Sequence, residues 1–266
     1  MINTLIFQEI LEDFGVGIFN SVKINSLFKI TMENIKIQRL IYKICMYNFL
    51  LHFLPTIIFN ALEIITGISF VTFLNIINYP IGVFSALFHL FHYIELIDNV
   101  SNYMPKTSNT INAIDSITLA ITMSIYQIII YLTTTFINFI MHDRLYFLAI
   151  FLNFFILTIY HSFYCFNNLW QYRKIDMIYR IDMYEKLWPY YTGYGFFSTI
   201  LYLYSNNMFV LGTYNIYIAI LISLPFLLDR KYPTEKMPYP KINLIIFSNI
   251  IGYLFKIIKN WTNYLI

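Results

Sequence analysis

The sequence predicts an all-α integral membrane protein: a seven-transmembrane-helix bundle with its N-terminus cytoplasmic and its C-terminus outside. Three observations predict it. Of 266 residues, 59% are hydrophobic and only 12% charged, too little polar surface for a water-soluble chain of this length. The apolar residues gather into runs of about twenty, the length with which a helix crosses a ~30 Å hydrocarbon core. Threaded back and forth, those runs leave the basic residues on one side.

Residues 1–38 are expected to be an N-terminal extension, amphipathic or disordered, ahead of a membrane domain over 39–266. Ile6, Ile10, Phe14 and Ile18 recur at helical spacing there, which suits a helix lying on a bilayer surface. The first span is read from Arg39 to Leu62, with Pro55 in its outer half. Residues 68–78 are rich in β-branched and aromatic side chains and too short to span, so an external loop with a short hairpin is expected. Tyr79-Pro80-Ile81-Gly82 then restarts a helix, with proline where the first turn tolerates it.

That second helix, about 80–99, carries His89, His92, Glu95 and Asp98 at intervals of three, a polar stripe slanting toward one end. A third helix is read over 110–136 with Asp115 early in it, and a fourth over 145–168 with Asn153 and His161. QYRKIDMIYRIDMYEK is charged and is expected to be a loop outside the bilayer. The fifth and sixth helices are read over 188–205 and 213–228. The seventh is the last stretch, Lys241 to Ile266. With the N-terminus inside, the outer loops keep Arg144 alone among the basic residues, which sets the orientation. Cys45 and Cys165 both fall in apolar segments and read as buried thiols.

Lys256 sits about 21 Å along the seventh run, past the middle of the core. A lysine at that depth costs roughly 2.5–3.5 kcal/mol on insertion scales. It either snorkels to the surface or serves as a desolvated amine open to Schiff-base formation. A buried cation of that kind needs a carboxylate nearby, and Asp115 in the third helix is available for it.

Several stretches together resemble the heliorhodopsins, an inverted-topology group of microbial-type rhodopsins. They are Pro80-Ile81-Gly82, Ser85-Ala86-Leu87-Phe88-His89, the spacing of Asn109, Asp115 and Met123, and Leu148 to Asn153. Pro189 to Gly193, and Phe255-Lys256 with Trp261, complete the set. The resemblance implies a rhodopsin-like bundle and a retinal-binding light sensor, signalling rather than pumping. All-trans retinal would be bound as a Schiff base to Lys256, with Asp115 as counter-ion. His89 and His92 would join the hydrogen-bond network, and Met123 and Asn153 would line the ring. The implied partners are lipid, a second copy of the chain and a signalling protein.

Other readings stand beside this one. The polar stripe suits a proton or ion transporter, or the start of a metal site inside the bundle. The same residues also suit plain hydrogen bonding within a helix interface, as in a membrane scaffold. No phosphate loop, nucleophile elbow or nucleic-acid surface is evident, so the chain is read as no enzyme and no nucleic-acid binder.

Overall fold

Asn34 caps one long helix by accepting hydrogen bonds from the backbone N–H groups of Lys36 and Ile37, at 2.9 and 3.4 Å. In the computed structural model, which describes residues 2–103, 128, 130, 132–141, 145–228 and 239–242, this helix is one of several. Two helices precede it, α1 (Ile2–Ser21) and α2 (Asn25–Glu33). It begins as α3 (Ile35–Asn48), widens to a π turn over Phe49–Phe53, and continues as α4 (Leu54–Thr66). Then come α5 (Val71–Ser101), α6 (132–140), α7 (Tyr146–Tyr172), α8 (Met177–Lys186) and α9 (Trp188–Leu203). The last is α10 (Met208–Ser223), capped by Asn207 and extended by a 3₁₀ turn, Leu224–Phe226.

Three of these helices are long and apolar enough to cross a membrane: Ile35–Thr66 with 32 residues, Tyr146–Tyr172 with 27 and Met208–Phe226 with 19. The protein is an integral, multi-pass membrane protein.

The seven-transmembrane, rhodopsin-like bundle expected from the sequence is not what forms, for three rather than seven such helices occur among the described residues. The physical reasons are local. At 16 residues, α9 reaches only about 24 Å. At 31 residues α5 is longer, but among the described residues it is not one of the three. The predicted orientation rested on seven alternating crossings and falls with them. The predicted seventh helix and most of the third lie outside the described residues.

Two further corrections concern local structure. Residues 71–78 are the start of α5 and not a loop or hairpin, so Pro80 lies inside the helix. Tertiary context overrode the β-propensity of that stretch. The charged segment after α7 also folds: it forms α8, whose Arg180, Tyr184 and Glu185 are buried.

The chain divides into two compact units. Unit one comprises Met1–Asn20, Thr107–Phe196 and Asp229–Ile266; unit two comprises Ser21–Lys106 and Phe197–Leu228. Unit one is built on aromatic rings. Trp170 of α7, Tyr184 of α8, and Tyr190, Tyr191 and Tyr194 of α9 are all buried. Tyr184 stacks on Tyr191 with centroids 4.2 Å apart, and Phe166 presents its edge to Tyr190, Tyr191 and Tyr194. Its helices meet at bare backbone. A Cβ on Gly193 would lie 2.1 Å from the Phe14 carbonyl oxygen, and one on Gly17 would lie 2.1 Å from that of Tyr190. Only glycine lets α1 and α9 approach so closely.

Unit two is built on aliphatic side chains: Ile37, Leu40 and Ile44 of α3, Leu96, Ile97 and Val100 of α5, and Ile218, Leu221 and Ile222 of α10 are buried. Into this layer the chain places several polar groups, and they define the site.

Candidate functional site

Pro55 has no N–H and crowds the carbonyl one turn before it, so an ideal α-helix cannot pass through this point unchanged. The chain responds with the π turn, in which the Leu54 N–H bonds to the Phe49 carbonyl, five residues back. Such widened turns recur at functional sites. Here the turn carries His52, which is fully buried. The Thr56 hydroxyl donates to the His52 carbonyl at 2.7 Å. Gly212 of α10 makes room for the bulge: a Cβ there would come within 2.9 Å of the His52 Cβ.

One turn before His52, Asn48 is also fully buried. Its Nδ2 donates to the Ile44 carbonyl at 2.8 Å, and its Oδ1 lies 3.2 Å from His89 Nε2 on α5. The His89 ring stacks on Tyr93 one turn on, with centroids 5.6 Å apart and planes 11° from parallel. The Tyr93 hydroxyl donates to the Asn215 carbonyl of α10 at 2.7 Å. Asn215 closes the circuit, its Nδ2 lying 3.4 Å from His52 Nε2. Two imidazoles, two carboxamides and a phenol thus link α3, the π turn, α5 and α10.

The predicted stripe does not act as one face. Residues three apart on an α-helix turn by about 60° short of a full circle, so three such steps carry the stripe about halfway round. His89 is therefore buried, His92 half-buried with its ring edge against Tyr47, and Glu95 and Asp98 are exposed. Asn153 belongs to the other unit, where its Nδ2 donates to Asn138 Oδ1 at 2.6 Å. Lys256, Asp115 and Met123 lie outside the described residues. Among the described residues, no three His, Cys, Asp or Glu side chains group as metal ligands would.

Sequence reasoning passed over Asn48 and Asn215. The signals were present: single amides in otherwise apolar helices, one of them a turn before a histidine, and a proline three residues after it.

Comparison with known proteins separates this chain from the rhodopsins. No family model matches it, and no solved structure matches it. Over 250 residues it is 42% identical to "Uncharacterized protein L211" of Acanthamoeba polyphaga mimivirus, covering 94% of this chain and 95% of that one. The chain belongs to the L211 family. The heliorhodopsin resemblance is thereby overturned: its motifs were short, and their common order does not survive a fold with three apolar spans among the described residues. With it go the retinal cofactor, the Schiff base on Lys256, the Asp115 counter-ion and the light-sensor reading. His89 and His92 belong to a helix junction, and Asn153 lines no retinal ring.

Proposed function

We propose that this member of the L211 family is a non-enzymatic, membrane-embedded protein that works by association. Its partners on this reading are bilayer lipid and a second copy of itself. One observation carries the reading: the spans turn large apolar side chains outward and polar ones inward. Phe147 on α7 is 87% exposed and Ile64 on α4 is 85% exposed, while Asn48, His52 and His89 are buried. In water that distribution would be a liability; in hydrocarbon it is the expected one. Buried polar pairs between helices contribute on average about 0.6 kcal/mol each in membranes, so the network serves mainly to fix which helix faces meet.

Lipid would cover the outer faces of Ile35–Thr66 and of α10. A second copy would meet the aromatic strip at the start of α7, where Phe147 and Phe151 stand one turn apart and exposed. Aromatic rings give large contact area with little freedom to lose. The test is expression in a membrane host followed by alkaline extraction and in-membrane cross-linking. The expected result is full retention in the pellet with a cross-linked dimer that Phe147→Ala and Phe151→Ala together abolish. Release into the supernatant would remove the reading. A monomer under all conditions would remove the self-association.

A further inference from the structure

Among the described residues, His89 Nδ1 takes no part in the bonds that hold the histidine junction together. Because Asn48 Nδ2 is committed to the Ile44 carbonyl, the amide turns its oxygen toward His89. An oxygen acceptor at that position requires the hydrogen of the neutral imidazole to sit on Nε2. The lone pair is then on Nδ1. That atom is buried, and among the described residues it has no hydrogen-bond partner. A buried polar atom left in this state calls for an explanation. The ring is held there by its stack on Tyr93, which is itself fixed by the bond to the Asn215 carbonyl.

The geometry points to His89 Nδ1 as a proton-binding site that keeps α3, α5 and α10 packed while empty and loosens them once filled. The step is protonation alone: water supplies the proton, the Nδ1 lone pair takes it, and imidazole becomes imidazolium.

The surroundings decide the direction. On α3 the titratable groups are Tyr47, set against His92, and the half-buried Cys45, while Lys36, Arg39, Tyr42 and Lys43 are exposed. The π turn brings His52. On α5 itself, Tyr93 is buried and His92 half-buried, while Glu95 and Asp98 are exposed. From α10 come Tyr214 and Tyr217, and that helix has no charged residue. Among the described residues, then, no carboxylate enters this layer to pair with an imidazolium, and a second imidazole shares the network. A cation formed there lacks a counter-charge and is disfavoured while the packing holds. Once the helices part, water reaches the ring, and it takes up its proton near the ordinary value of about 6.5. Below that pH the open form binds a proton that the closed form refuses, so the open-to-closed ratio grows by about tenfold per pH unit.

The experiment uses the full chain in phosphatidylcholine nanodiscs, with thermal unfolding followed at pH 7 and pH 5 for wild type, His89→Gln and His89→Phe. The wild type should lose more of its folded-to-unfolded ratio than either variant, by a further ten- to thirtyfold over that interval. Equal losses in all three would overturn the proposal. If neither variant folds, nitrogen NMR of wild-type protein labelled at histidine decides. At pH 7 His89 should be neutral with its hydrogen on Nε2, and an Nδ1–H tautomer or an imidazolium at that pH would overturn it.

Discussion

The two units bury polar atoms in different ways. Unit one buries His161 and the Arg180–Asn167 pair, but many of its polar atoms ride on the tips of aromatic rings. The Tyr184 hydroxyl pairs with Ser162 Oγ and donates to the Ile159 carbonyl at 2.5 Å, and Asn20 Nδ2 donates to the Tyr190 hydroxyl at 3.2 Å. The ring supplies apolar area and its end finds a backbone partner, so one residue serves both demands. In unit two the area comes from isoleucine and leucine, while the polar atoms belong to compact imidazoles and carboxamides that bond to one another. Such a network depends on every member, because losing one leaves its neighbour buried and unpaired. Unit one should therefore be sensitive to shape and unit two to hydrogen-bonding chemistry.

The largest effect expected from that contrast is at the α1–α9 crossing. Gly193→Leu forces side-chain atoms into the space that the Phe14 carbonyl occupies. Overpacking typically costs about 1–3 kcal/mol, and here the obstacle is backbone, so about 3 kcal/mol or more is expected. Gly15→Ala, inside α1 at a position with nothing within 4 Å, is the control and should hold the melting temperature or raise it slightly. Equal behaviour of the two substitutions would show that the crossing is not close.

Next comes Asn48. Asn48→Leu in unit two removes the acceptor for His89 Nε2, leaving a buried donor unmade, which costs about 1–3 kcal/mol. Adding His89→Leu removes the orphan as well, so the double variant should be more stable than Asn48→Leu alone. Additive losses in that cycle would mean the two side chains do not act as a pair.

These substitutions bear on how much was legible beforehand. The helices around Tyr146–Tyr172, Trp188–Leu203 and Met208–Ser223 were readable because apolar runs between polar boundaries leave little choice of element. The start of α5 was not, since Val71 to Ile77 is strand-like by composition and only packing made it helical. The helix network hid for another reason: Asn48 and Asn215 are 167 positions apart, and nothing local says that both approach histidines. The polar stripe from His89 to Asp98 slants so far round the helix that it starts buried at His89 and ends exposed at Asp98. Seven spans exceed the three found among the described residues partly because α9 stops at 16 residues, shorter than the run of about twenty that its composition suggests.

A smaller effect is expected from Tyr184→Phe in unit one. The stack on Tyr191 survives, while the bonds to Ser162 and the Ile159 carbonyl are lost. A single neutral hydrogen bond contributes about 1 kcal/mol, so a modest fall in melting temperature should follow. A fall as large as that of Gly193→Leu would mean that unit one rests on the hydroxyl and not on ring shape.

The smallest effect belongs to the Lys186–Asp182 pair in the charged cluster on α8. Lys241 Nζ lies 2.8 Å from both Asp182 and Glu185, and Lys186 Nζ lies 2.6 Å from Asp182. Desolvation works against ionising Asp182, but the hydrogen bonds from Lys186 and Lys241 and the attraction of both ammonium groups outweigh it. The carboxyl is held below its ordinary range. For Lys241, the hydrogen bonds with Asp182 and Glu185 raise the ammonium above its ordinary value against partial desolvation. The signs follow from linkage. Asp182 contributes stability above its unfolded value of about 4, and the contribution disappears as pH falls through the lowered folded value. Lys241 contributes fully below about 10.4, and its share disappears as pH rises through the raised folded value. Between those edges the cluster adds nothing that varies with pH. The exposure of Lys186 and Asp182 limits their pair to less than about 1 kcal/mol, whereas the Glu185 that Lys241 also meets is buried. Lys186→Met should therefore lower the neutral-pH melting temperature by about a degree or two at most. Its difference from wild type should vanish at the strongly acidic edge, where Asp182 is protonated and the pair is already lost. A loss between pH 7 and pH 5 in that variant, beyond the wild-type loss, would place an acid-sensitive group beside α8 and not only at His89.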